Sequence, residues 1–231
     1  PGYIEQYLAE GGVGWPDLPG LDAVLADYKP SVPMTSNAIW QRFSRDLLGN
    51  SISTVVLVGL VVTLVAVSRP RSWQRPFAER FARWGMLVVI GVGMVAAVYL
   101  AYVEMTHTEP VCGPVGDCST VQNSEYALLF GFLPIGVLGV LGYLAILAAY
   151  VYGTWFKASP YAQYAPAAVF LLAVFGVGFS TYLTFLEPFV IGATCAWCLT
   201  SAVCMALLAL LSAGPGWKVL RPRYRARKRR R

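Results

Sequence analysis

The chain has 231 residues, of which 57% are hydrophobic and only 13% charged, with a formal net charge of +6. A soluble domain carries roughly 25% charged residues, so this composition excludes an ordinary water-soluble globule and points to a lipid solvent. Most of the positive charge lies in links between apolar blocks and at the C-terminus, which argues against a nucleic-acid partner and for contact with a membrane.

Residues 1–50 stand apart. They hold Gly11-Gly12, Pro16, Pro19, Pro30 and Pro33, with six acidic residues against three basic ones. Short helices are predicted at most, over Leu21 to Asp27 and Ala38 to Leu48. No signal peptide is visible. The first residue is Pro1 and not Met, which leaves room for a natural start, and any targeting segment, upstream.

Five apolar blocks follow, each near the 20 residues that a spanning helix needs. They run about 51–68, 85–105, 134–152, 165–189 and 194–213. The link after the first holds Arg69, Arg71, Arg75, Arg80 and Arg83, and the link after the third holds Lys157. The tail 214–231 holds Lys218, Arg221, Arg223, Arg225 and five further basic residues. The links 106–133 and 187–194 hold no Lys or Arg. This alternation predicts five spans with the C-terminus cytoplasmic and residues 1–50 and the two uncharged links outside. Ser124 to Leu133 is apolar but too short to cross, so a short interfacial helix is predicted there, ended by Pro134 in the first turn of the third span. Gly136, Gly139 and Gly142 mark close helix packing on that span.

The chemistry lies in the cysteines. Cys195-Ala196-Trp197-Cys198 is a C-x-x-C at the start of the fifth span, where positions i and i+3 share a helix face. Backbone N–H groups and the positive dipole end at a helix N-terminus favour a thiolate, the reactive species. Cys112 and Cys118 lie in an uncharged link with Gly113, Pro114 and Gly116 between them. The topology puts both pairs on the outer side, where disulfides persist. Two static bridges, or inert packing of the helix pair, are the plain alternatives. Zinc is a third, but five residues between Cys112 and Cys118 are looser than a zinc knuckle, and the single histidine, His107, suits a solvated loop. Cys204, two turns into the fifth helix, suits the packed interior.

Together these features resemble the vitamin K epoxide reductase family, in particular its bacterial disulfide-forming members. The resemblance covers about Gly85 to Ala213 and rests on the loop pair Cys112 and Cys118, on Ser124 six residues later, on the segment FGFLPIGVLGVLGYLAIL and on Cys195-x-x-Cys198. It implies an all-α integral membrane fold, with a four-helix bundle around a quinone (menaquinone, ubiquinone or phylloquinone), capped by a loop helix. The first span and residues 1–50 are then additions. It also implies that Cys198 meets the quinone, that Cys195 exchanges with Cys118, that Cys112 with Cys118 meets a protein partner, and that Ser124 supports the redox site. One departure is visible: some members carry a tyrosine where this chain has Ala202.

The function so implied is a thiol–disulfide oxidoreductase of a bacterial inner membrane. It oxidises an extracytoplasmic thioredoxin-like protein and passes the electrons to a membrane quinone. Two readings compete with it. One is a quinone or quinone-epoxide reductase whose useful product is the reduced quinone. The other is a non-enzymatic membrane protein with two structural disulfides.

Overall fold

The structure is a computed structural model. It describes residues 36–69, 79–106, 108–112, 116–129 and 133–229; the helix expected over Leu21 to Asp27 and the solvated His107 lie outside them. In chain order the elements are α1 (Ser36–Phe43), a 3-10 turn (Ser44–Asp46), α2 (Leu47–Ser68), α3 (Glu79–Thr106) and α4 (Cys118–Gln122). A 3-10 turn (Glu125–Ala127), β1 (Leu128–Leu129) and β2 (Leu133–Pro134) lead into α5 (Ile135–Trp155). Then come α6 (Ala165–Leu186), a π turn (Glu187–Ile191) and α7 (Ala196–Arg229).

The molecule is an all-α integral membrane protein. Five helical segments, Ile39–Ser68, Trp84–Thr106, Ile135–Trp155, Ala162–Ile191 and Ala196–Arg221, are long and apolar enough to cross a membrane. At 1.5 Å per residue, the 21 residues of α5 reach about 32 Å, matching a hydrocarbon core of about 30 Å. Val55, Val95 and Phe175 are each well over half exposed on the bundle's outside, as lipid-facing residues should be.

Helices α3, α5, α6 and α7 close a ring in which each packs on its neighbours, and α2 lies against α6 and α7. Lipid is as apolar as leucine, so close packing and hydrogen bonds hold such a bundle rather than exclusion from water. Its centre is Tyr143, Ile146, Ala173, Val177, Leu208 and Ala209. The Tyr143 hydroxyl donates to the Ser201 carbonyl at 3.0 Å, joining α5 to α7. Interhelical bonds of this kind contribute about 0.6 kcal/mol on average. Gly136 rests on the Ala101 backbone, and a Cβ on Gly139 would lie 3.3 Å from Ala97. Gly142 has ordinary space around it, so the packing role holds for two of the three glycines.

Three expectations change. The segment 124–133 is not a helix. Its described residues form a 3-10 turn and half of a two-residue hairpin, Leu128 opposite Pro134 and Leu129 opposite Leu133. The short helix lies earlier, at Cys118–Gln122, because Asp117 caps it: its carboxylate accepts from Thr120 N at 3.1 Å and from Ser119 Oγ at 2.7 Å. The stretch Ala38 to Leu48 is not a separate helix but runs with one 3-10 turn into α2. Finally, α7 does not stop near Ala213 but passes Gly214-Pro215-Gly216 to Arg229. Trp217 explains this. Its Nε1 donates to Val67 O at 2.8 Å and its ring packs on Phe170, so tertiary contacts override the local breakers.

Candidate functional site

The four cysteines of interest gather at one end of the bundle. Cys112 and Cys118 are disulfide-bonded, with 6.0 Å between their Cα atoms, inside the usual range. Cys195 and Cys198 are free. Cys118, Cys195 and Leu100 form a small buried cluster against which Cys112, Val121, Trp197 and Cys198 pack.

Hydrogen bonds made by the residue before each loop cysteine bring the loop pair here. Before Cys112, the Val111 N–H donates to the Tyr99 hydroxyl at 2.7 Å, and Trp197 Nε1 donates to the Val111 carbonyl at 3.0 Å. The Tyr99 and Trp197 rings lie against each other with centroids 4.5 Å apart. Before Cys118, the Asp117 N–H donates to the Thr194 carbonyl at 3.0 Å. Gly116 has φ +97° and lies so close to Thr194 O that a Cβ would sit 2.5 Å from it, a position only glycine fills without strain. Hydrogen bonds from the Thr120 and Ser119 hydroxyls hold the Asp117 carboxyl below its ordinary pKa, outweighing slight burial.

Cys195 stands immediately before α7, and the Cys198 N–H donates to its sulfur at 3.4 Å. The sulfur thus takes the place of a capping oxygen at a helix N-terminus. The Cys198 thiol also donates to it and is the largest cause of a lowered Cys195 pKa, helped by the Cys198 and Trp197 N–H groups and by Gln122, against burial. Of the helix pair, Cys195 is thus the sulfur whose surroundings favour the thiolate form more. It is fully covered by protein, while Cys198 is partly exposed. The shallower cysteine in sequence is thus the better hidden one, because the loop pair sits over it.

Cys198 opens instead onto a cavity lined by Glu104, Gln122, Ser124, Tyr126, Leu186 and Glu187, among others. Ser124 reaches this wall with its Oγ donating to Val121 O at 2.7 Å, closing the end of α4. Gln122 Oε1 is buried and makes no hydrogen bond. Glu104 accepts from Gly136 N at 2.7 Å. Apolar walls with a few convergent polar groups, one acceptor still free, are the features of a small-molecule site. The space is about 40 Å³ and is partly open, room for water-sized groups.

Sequence reasoning passed over Glu104 and Glu187, although each is the sole acidic residue of its span and an intramembrane ionisable group is by default a functional candidate. It also passed over Gln122, Asn50, Ser53 and Thr194, which carry no motif. Cys204 lies in the buried core, 6% exposed and remote from the cluster. Ala202 is buried there too.

Two cysteine pairs in mutual contact at the end of a membrane helix bundle mark a candidate redox site. The sequence model of the vitamin K epoxide reductase family matches residues 84–213, more than half of the chain. The chain belongs to that family and is a membrane oxidoreductase. No solved structure matches it.

Proposed function

We propose that the protein takes two electrons from an extracytoplasmic thioredoxin-like protein and delivers them, through its two cysteine pairs, to a membrane quinone. The observation that carries this reading is the split environment of the four cysteines. Cys118 is packed on Cys195, whereas Cys198 faces the apolar cavity. Lipid-soluble and water-soluble reactants are thereby served by different sulfurs.

In this scheme the partner's dithiol reduces Cys112–Cys118 by exchange. The Cys118 thiolate then attacks Cys195 of an oxidised helix pair. The Cys118–Cys195 bond forms as Cys195–Cys198 breaks, and Cys198 leaves as thiolate. Cys112, as its thiolate, attacks Cys118 next, restoring the loop disulfide and releasing Cys195, which takes up the second proton. Two electrons have moved inward, and the two protons of the loop thiols end on the helix thiols. A quinone held between Cys198, Gln122, Ser124 and Tyr126 would supply the two-electron acceptor that returns the helix pair to its disulfide. Ser124 shapes the wall by closing α4.

The functional unit is taken as 85–213, with residues 1–50 extracytoplasmic, 51–68 an additional span and 214–231 a cytoplasmic basic segment. The membrane is taken as a bacterial inner membrane with the cysteines at its outer face, from the Arg and Lys alternation.

The decisive test is Cys198→Ala. Without Cys198 the helix bridge cannot close, and the mixed disulfide should accumulate. Non-reducing mass spectrometry after digestion should show a peptide containing Cys118 joined to one containing Cys195. Linkage of Cys112 to Cys195 alone would reverse the roles of the loop cysteines. Absence of any inter-pair linkage under all redox conditions would leave two static bridges and end the relay reading. In sealed cells, external protease should spare 218–231; cleavage there rejects the orientation.

A further inference from the structure

The first span lies outside the region that the family model matches, yet it reaches into the redox site with two fully buried polar side chains, Asn50 and Ser53. Polar side chains are buried at a membrane helix interface only where they find partners, and apart from Phe43 O and Thr184 O, which accept from Asn50 and Ser53, the partners of these two lie within 187–194. Asn50 Oδ1 accepts from Thr194 Oγ1 at 3.0 Å. Asn50 Nδ2 donates to Gly192 O at 3.4 Å and to Phe43 O at 3.0 Å. Ser53 Oγ donates to Glu187 Oε2 at 3.2 Å. Gly192, at φ +79°, lies where a Cβ would come within 2.9 Å of Arg42 backbone oxygen. The first span and the turn before it therefore grip 187–194, the segment that delivers Cys195.

Thr194 links this grip to both cysteine pairs. Its side chain is held by Asn50, its carbonyl accepts from Asp117 N at 3.0 Å, and its next residue is Cys195. The next residue after Asp117 is Cys118. A single peptide thus sets the position of one cysteine of each pair, and its orientation is fixed from a helix 144 residues away in sequence.

We propose that Asn50 is a positioning residue for exchange between the two cysteine pairs, holding Thr194 so that Cys118 and Cys195 meet. The proposal rests on the relay described above. The added span is then a working part of the redox site and not only a membrane anchor. Exchange requires the attacking sulfur in line with the bond it breaks, and misplacement of a reacting group by about 1 Å can cost on the order of a hundredfold. Losing one buried hydrogen bond of about 1–1.5 kcal/mol corresponds to roughly tenfold in rate.

The test uses the full-length protein and separates two routes to the helix pair. In the first, a soluble thioredoxin-like dithiol protein reduces the loop pair, and the electrons must cross from Cys118 to Cys195. In the second, a small membrane-permeant dithiol reduces Cys195–Cys198 directly. Asn50→Ala should lower protein-driven quinone reduction about tenfold more than dithiol-driven reduction. In the Cys198→Ala background it should slow formation of the Cys118–Cys195 species by a similar factor. Thr194→Val should reproduce the loss, since it keeps shape and removes the hydroxyl, and Thr194→Ser should restore the rate. The Thr194 pair also decides the matter if Asn50→Ala does not fold. Equal losses on both routes, or a Thr194→Ser variant as slow as Thr194→Val, would make Asn50 merely structural and overturn the proposal. So would a Cys118–Cys195 species that forms as fast with Asn50→Ala as without it, a result that leaves the relay standing. If Cys198→Ala alone yields no such species, the relay fails first and the positioning role falls with it.

Discussion

The two cysteine pairs solve opposite problems. Cys195 and Cys198 are held by a helix. Their i, i+3 spacing places them together, and the helix N-terminus polarises one sulfur. Of Cys112 and Cys118, the second opens the short helix α4 and the first lies outside any described helix or strand. They are held by the residues just before them, Val111 by Tyr99 and Trp197, and Asp117 by Thr194. The helix pair is therefore preorganised by local geometry. The loop pair is docked by a few long-range bonds that can be released one at a time. Cys198 lines the cavity, while Cys112 is partly exposed beside the buried Cys118 and Cys195, an arrangement that suits the proposed relay.

The largest expected effect comes from breaking the pairs separately. Cys198→Ala should abolish quinone reduction with any electron donor. Cys112→Ala should abolish it with the protein partner, yet leave a small dithiol able to reduce the helix bridge. If both variants fail identically with the small dithiol, the division of labour between the pairs is wrong.

A smaller effect should follow from loosening the dock while keeping all cysteines. Gly116→Ala forces a side chain into a left-handed conformation, at roughly 1–2 kcal/mol, and onto the Thr194 carbonyl. The loop should lift, and alkylation of Cys118 after reduction should rise from its present 1% exposed state. Trp197→Phe should remove the bond to Val111 O, worth about 1 kcal/mol, and raise alkylation of Cys112 several-fold. Unchanged alkylation in both variants would mean that the loop is held by something other than these bonds.

Cys204→Ala sharpens the comparison from the other side. Its sulfur packs in the bundle core and meets neither pair, so turnover should stay at the wild-type level. Loss of packing should cost at most about 1 kcal/mol in a thermal or denaturant assay. Complete loss of activity in a folded Cys204→Ala protein would bring a fifth cysteine into the chemistry.

The smallest effect is electrostatic. The Asp117 carboxyl, which caps α4, is depressed below its ordinary value of 3.8 by the Thr120 and Ser119 hydroxyls. A depressed carboxyl stabilises the fold fully above its unfolded pKa and loses that contribution as pH falls through the folded one. Loop docking should therefore be insensitive to pH above 3.8 and weaken only below it, in the wild type. Asp117→Asn, which keeps an acceptor but does not titrate, should remove that acid-side step. A step in the wild type centred above pH 5 would have to come from another group.

Length, spacing and composition were enough to read the membrane spans and the cysteine pairs from the chain, because both depend on local properties. A run of 20 apolar residues must find lipid or a core, and a C-x-x-C at a helix start must bring its sulfurs to one face. The short helix was misplaced to 124–133 because apolar content there outweighed a plainer signal, the Asp117-Cys118-Ser119-Thr120 cap. The end of the fifth helix was misjudged because Gly214-Pro215-Gly216 breaks helices in isolation but not when Trp217 is pinned to Val67 and Phe170. The meeting of Asn50 with Thr194, of Ser53 with Glu187 and of Asp117 with Thr194 carries no pattern at any spacing. Each is a bond between segments that approach only when α2 has packed on α6 and α7 and the loop has folded over the bundle. The sequence by itself determined the five apolar spans and picked out the two cysteine pairs as the candidates for redox chemistry. The tertiary structure decided which sulfur is hidden, which faces the cavity and which neighbours hold them, since those depend on distances that no local spacing encodes.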